Sequence, residues 1–195
     1  MPPIHRSPNR HEMKILIAAI LVLTGAFAQA ADTPQPPSDL KSISALDAPR
    51  YMGTWYEIAK FPAWFQKKCV ADTWAEYTLQ PDGSVQVINR CRQESGEMKE
   101  ALGGGRQIGD ATSSKLEVRF APAWLSFLPM VWGDYWVIDL DPSYQLVAVS
   151  EPKREYLWIL SRSPKVDPAA YDALLARLSG QGFDLQRLEK TLQRN

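Results

Sequence analysis

Few side chains in this 195-residue chain are equipped for catalysis, and their positions argue against it. Both histidines, His5 and His11, precede a stretch that reads as a removable leader. The remainder then holds no imidazole for a triad, a general base or a metal site, and neither a metal nor a cofactor is implied. What is left is carboxylates and two cysteines, Cys69 and Cys91. An exported cysteine pair reads first as a disulfide and only second as a thiolate nucleophile at Cys91. Glu57 is the carboxylate in an unusual setting. It lies in Gly53-Thr54-Trp55-Tyr56-Glu57-Ile58-Ala59, on the same strand face as Trp55 and Ala59. A carboxylate facing a core is costly unless paired. Glu57 therefore reads either as an acid facing a ligand or as half of a structural ion pair with an arginine near the core's floor, and the ion pair is the expectation.

These groups need a scaffold, and the scaffold reads as all-β. Gly53 lets the chain swing into a strand whose first large side chain, Trp55, faces inward. About a hundred residues later Tyr156-Leu157-Trp158-Ile159-Leu160-Ser161-Arg162 forms a second β-rich run ending on an arginine. A guanidinium over an indole gains roughly 0.5 to 2 kcal/mol when partly desolvated and could close one end of a barrel. Between them lie a hairpin of Val70 to Leu79 with Ser84 to Arg92, a glycine-interrupted strand over Glu97 to Ile108, and strands over Lys115 to Phe120, Gly133 to Leu140 and Tyr144 to Ser150. Gln80-Pro81-Asp82-Gly83 fits a type I turn with a glycine bulge, which pairs Tyr77 with Val87 and Ala75 with Asn89. The same register puts Cys91 opposite Thr73 and Cys69 opposite Ser95, about 13 Å apart along a straight strand, so a Cys69–Cys91 bond needs a bulge or a curl before Val70. Eight short strands with tight turns suggest an eight-stranded up-and-down antiparallel barrel. Asp167-Pro168 then caps one C-terminal α-helix whose Tyr171, Leu174, Leu175 and Leu178 pack on the barrel wall. From Phe183 onward the chain could add a short strand.

The formal charge is zero, and without residues 1–30 the chain holds 19 basic against 21 acidic side chains. No clustered basic surface points to a nucleic acid. Lys14 is followed by 14 nearly unbroken apolar residues, Ile15 to Ala28, and then by Ala28-Gln29-Ala30. Residues 1–30 therefore read as a secretory signal cleaved near Ala30, with Met13 a candidate start. The run is shorter than a membrane span requires. Residues 31–43, with three prolines between Asp32 and Ser38, read as a linker, and 44–195 as the folded domain.

Gly53-x-Trp55-Tyr56, Asp139-Leu140-Asp141 after an aromatic strand, and Arg162 before a helix resemble, in order, the three signature segments of the lipocalins, most closely the bacterial outer-membrane lipocalins and apolipoprotein D. The resemblance runs from about Ser44 onward. It implies an apolar calyx for a small hydrophobic ligand, without a cofactor. Strand parity turns Tyr77, Val87, Asn89, Val118 and Phe120 inward from the first half, and Tyr135, Val137, Leu146, Tyr156 and Trp158 from the second. The outer-membrane members often carry a lipidated cysteine after the cleavage site. This chain has Ala31 there, so it reads as a periplasmic or secreted protein, associated at most peripherally with the outer membrane.

Two loops complete the reading. Pro62 to Lys68, with Trp64 and Phe65, suits a lid over the barrel mouth. Ala123 to Trp132 is too apolar for an ordinary surface loop. Through Trp124, Leu125 and Phe127 it either meets a membrane surface or another subunit, or folds back over the mouth and is buried. The function expected is carriage of a fatty acid, lysophospholipid or similar amphiphile. The competing classes are an enzyme using a carboxylate or Cys91, and an envelope protein with a filled barrel.

Overall fold

The computed structural model describes residues 39–194. The expected leader and most of the expected linker lie outside them. Eight strands run in chain order: β1 (Gly53–Lys60), β2 (Cys69–Leu79), β3 (Val85–Gln93), β4 (Met98–Gln107), β5 (Lys115–Arg119), β6 (Gly133–Leu140), β7 (Leu146–Ser150) and β8 (Leu157–Ser161). Every neighbouring pair is antiparallel, and β1 pairs with both β8 and β2, which closes the barrel. Closure removes the free edges that an open sheet would present.

Each end of the barrel has its own chemistry. The Gln80-to-Ser84 turn, with Gly83 at φ 81°, the β6–β7 turn and a helix α1 (Ala48–Tyr51) lie at the floor. The sequence reading did not anticipate α1. One turn has no periodicity to detect, and its only signals are Asp47, whose side chain accepts from Arg50 N at 3.1 Å, and Pro49 in the first turn. The mouth carries the 64–66 turn, the 94–97 turn and the loop between β5 and β6.

The long helix α2 (Pro168–Gly180) is capped by Asp167, whose carboxylate accepts from Ala170 N at 2.9 Å. Its Leu174 and Leu178 bury against Ala148, Leu157 and Ile159 on the outer wall. Arg177 grips Asp139 of β6 with two bonds of 2.7 and 2.9 Å. Leu40 is buried in this same outer cluster, and Ile43 N donates to Val137 O at 2.9 Å. The packed fold thus begins a few residues earlier than the expected boundary at residue 44.

The β2–β3 register follows the turn from Leu79↔Val85 to Trp74↔Arg90 and then slips twice, so that Cys69 sits opposite Gln93. Asp72, at φ 48°, lies inside the first irregularity. The slips halve the expected offset and bring the Cα atoms of Cys69 and Cys91 to 5.4 Å, where they form a disulfide. The bond ties the end of the 62–68 loop to the wall. Closing a loop of this length contributes about 3 kcal/mol on the chain-entropy estimate. A Cys69→Ser/Cys91→Ser double variant is expected to lose about that much, read as a lower urea midpoint for the double variant than for the oxidised protein. Equal midpoints would mean that the bond constrains nothing.

β9 (Glu189–Lys190) is the short strand suggested beyond Phe183. β1 leaves β2 after Tyr56, and the terminal segment enters the gap. Lys190 pairs with Ala59, Thr191 N donates to Ile58 O, and Asp72 N donates to Leu192 O. The Gln193 amide then bridges Glu57 O and Thr73 O at 2.8 Å each.

Candidate ligand site in the barrel

The floor is built from α1, β1 and the end of β8. Trp55 is fully buried, its indole N–H donating to Tyr51 O at 2.8 Å. The Arg162 guanidinium lies 3.9 Å from the Trp55 ring centroid and donates to Thr54 O, Arg50 O and Tyr51 O at 2.8, 2.9 and 3.1 Å. Gly53, at φ 93°, passes so close that a β-carbon there would sit 3.3 Å from the guanidinium. The glycine serves both the turn and the approach.

Above the floor three phenols converge. Tyr51 Oη lies 2.7 Å from Tyr135 Oη, and Tyr77 Oη lies 3.1 Å from it. Burial raises all three above the ordinary phenol value, Tyr77 to about 12, so the hydroxyls stay protonated. Beside them is a void of about 20 Å³ walled by Val85, Val87, Leu116 and Val118. Val137 is fully buried in the same interior cluster. Higher up, Asn89 pairs with Ala75 on one side and Ala101 on the other. The inward positions of β4 are small, Ala101, Gly103 and Gly105. This keeps the lumen wide on that side.

Trp158 and Tyr156 stack at the mouth, with centroids 5.8 Å apart. Phe65 from the 64–66 turn packs on both, at 6.3 and 5.6 Å. The neighbouring Gln66 accepts from Trp158 Nε1 at 3.0 Å and donates to Glu57 Oε2 at 2.8 Å, while Thr191 Oγ1 donates to Glu57 Oε1 at 2.6 Å. The turn is thus latched to the barrel through a buried carboxylate.

This geometry changes three expectations. Glu57 has no arginine partner: an amide and a hydroxyl satisfy it, and it belongs to the mouth half, next to Trp158, not to the floor. Leu146 faces outward and packs in the α2 cluster. All five β7 residues are buried, because helix and lumen cover opposite faces, so parity had no polar face to read; Val147 and Val149 point inward instead. Phe120 has the expected side but lies past the end of β5, 45 % exposed on the rim, its ring over Gly103. Tyr51, Gln66 and Thr191 were missed, since none lies on a strand whose alternation could place it.

The 123–132 loop is not folded back. Trp124, Phe127 and Met130 are 73, 74 and 85 % exposed, while Leu125 is half-buried. Trp132 anchors the loop by donating to Ser126 O at 2.8 Å, with Arg106 4.1 Å from its ring centroid. A larger concavity, about 660 Å³, lies outside the barrel between α2 and the β6–β7 turn.

A lipocalin-like domain family matches residues 46–193. The chain is a lipocalin. Temperature-induced lipocalin-1 of Arabidopsis thaliana is 40 % identical over 158 residues, which cover 80 % of this chain and 83 % of that protein. Outer membrane lipoprotein Blc of Escherichia coli K12 is 35 % identical over 174 residues, 88 % of this chain and 94 % of that one. Mouse apolipoprotein D is 29 % identical over 197 residues, covering 94 % and 97 %.

The buried carboxylate of this lipocalin makes stability depend on pH. Burial raises the Glu57 pKa, the bonds from Thr191 and Gln66 and the charge of Lys60 opposing it only in part. The folded carboxyl then binds its proton more tightly than the unfolded one. Stability from this group is greatest below the unfolded value and falls as pH rises through the folded one. Glu57→Gln keeps an acceptor for Gln66 and offers a donor to Thr191. It is expected to raise the unfolding temperature at neutral pH and to flatten the decline between pH 5 and 7. A variant less stable than the parent at pH 7 would refute this.

Proposed function

We propose that this lipocalin is a non-enzymatic carrier, exported to the cell envelope, that holds the acyl chain of a fatty acid, lysophospholipid or similar amphiphile in the barrel. The observation that carries the reading is the lumen itself. From Val137 and Val87 up to Trp158 its walls are apolar, and its one buried carboxylate is engaged by Gln66 and Thr191. The lumen aligns no nucleophile with a base. Burying an alkyl chain contributes about 0.8 kcal/mol per CH₂, enough for several kcal/mol after ordering costs. Entry requires the 64–66 turn to lift, because Phe65 covers Trp158 and Tyr156. The head group then stays at the mouth beside Lys67 and Lys68. Asn89, Val118 and Tyr135 contact the chain deeper down.

The expected export, with residues 1–30 as signal and the remainder in the periplasm, agrees with a relative whose name places it in the outer membrane. Mass spectrometry of lipids that copurify with the protein from the periplasm tests the whole reading. Copurified acyl lipid is expected. Protein that is empty, and that ignores every fatty acid offered, would favour a structural envelope role.

The exposed apolar loop adds membrane contact. Replacing Trp124, Leu125 and Phe127 with serine is expected to reduce partitioning onto phospholipid vesicles by about tenfold or more, since each exposed aromatic contributes on the order of 1.5 kcal/mol when buried. Affinity for a soluble fatty acid should not change. Unaltered partitioning would remove the membrane from the function.

A further inference from the structure

We infer that the three phenols above the floor form a second polar site inside the calyx, which receives an uncharged acceptor oxygen, a keto or hydroxyl group, at the buried end of the ligand. The inference rests on the calyx reading above and adds a preference within it. Each phenol brings one proton and two lone pairs. The three hydroxyls make two contacts with one another, through Tyr135. Two contacts consume two of three protons, so one O–H remains without an acceptor among the described residues. Tyr51 and Tyr77 are 1 and 7 % exposed, so bulk solvent does not supply one.

The spare donor has somewhere to point. The adjoining void of about 20 Å³ has the three phenols on one side and Val87, Leu116 and Val118 on the other. That volume suits a single oxygen atom with its attached carbon, or one water, for which 10 to 15 Å³ is about the minimum. A plain methyl terminus arriving here would leave the donor unsatisfied, a penalty that a ligand oxygen avoids. A carboxylate fits less well, because the site lies beneath a buried acid, Glu57, and charge is costly to desolvate. The ligand class indicated is an acyl chain oxygenated near its far end.

The test uses the whole protein and two matched series: saturated fatty acids of 8, 12 and 16 carbons, and the same acids bearing a ketone at the penultimate carbon, titrated calorimetrically. At the chain length that reaches the floor, the oxo acid is expected to bind about tenfold tighter than its plain counterpart, the effect of one buried hydrogen bond. Its carbonyl infrared band should move to lower frequency on binding. The Tyr51→Phe/Tyr77→Phe/Tyr135→Phe triple variant removes every member of the cluster together and leaves no orphaned hydroxyl. It is expected to bind both series equally. Equal affinities for the two series on the parent protein at every length would mean that only an ordered water occupies the void, and would overturn the inference while leaving the calyx intact. A preference that survives in the triple variant would also overturn it. If no acid of either series binds, the calyx reading fails and this inference with it. If the triple variant does not fold, the parent's two series and the infrared band decide alone.

Discussion

Arg162→Ala is expected to lower the stability of the barrel by about 4 kcal/mol, the largest loss from any single exposed-side substitution considered for this protein. The guanidinium serves three acceptors at once, the carbonyls of Arg50, Tyr51 and Thr54, and it covers the indole of Trp55. Alanine would leave the carbonyls to whatever water can reach them and open a hole against a fully buried tryptophan. Bonds from a charged donor contribute roughly 1.5 to 3 kcal/mol each, and partial rehydration at this half-exposed end reduces their total. With a urea slope of about 2 kcal/mol per molar, the midpoint should fall by about 2 M. Arg162→Lys should recover less than half of this, since one ammonium cannot reach three carbonyls and cover the ring together. An unchanged midpoint in Arg162→Ala would mean that the floor is held by the Trp55 indole bond and the α1 cap without the arginine.

Trp158→Arg is expected to abolish fatty-acid binding, by about a hundredfold or more, without unfolding the protein. Trp158 lies at the narrow point where the 64–66 turn meets the lumen. A guanidinium there removes an apolar wall and puts a charge where the alkyl chain must pass. The fold should tolerate it because Glu57, already bridged to Trp158 through Gln66, is placed to take the new cation. Titration with a fluorescent fatty acid, alongside circular dichroism and the unfolding midpoint, reads both halves. Retained affinity in a folded variant would move the acyl chain away from Trp158.

The architecture was largely legible because a barrel repeats one rule. Alternating side chains and turn residues gave all eight strands, and the helix announced itself through Asp167-Pro168. The Gln80-to-Gly83 turn set six cross-strand pairs of the first hairpin correctly. What escaped was whatever departs from alternation. A bulge between Val137 and Asp139 flips the rest of β6, and another at Ile58 sends Ala59 to the outer cluster while Glu57 stays inside. Nothing local in the sequence marks either. Glu57 was recognised as a costly acid, but its partners are an amide nine residues on and a hydroxyl 134 residues on. The phenol cluster was hidden for the same reason: Tyr77 and Tyr135 could be assigned inward, yet their meeting depends on Tyr51, which a one-turn helix delivers.

The wedge of residues 189–194 between β1 and β2 bears on how the molecule comes to be closed. β1 and β2 are near neighbours in the chain, joined by a short loop, and can pair early at their lower ends. Their upper halves are sealed only by residues that follow more than a hundred positions later. Contacts of such high separation are slow to form, because the loop-closure entropy precedes the reward. The last event in folding is therefore the zipping of this seam, after all eight staves stand. A chain ending at residue 188 would assemble the staves and leave a slit beside Glu57. Through that slit amide hydrogens of β1 and β2 would exchange with solvent far faster than those of β7 and β8, so the barrel would behave as a vessel with one loose stave.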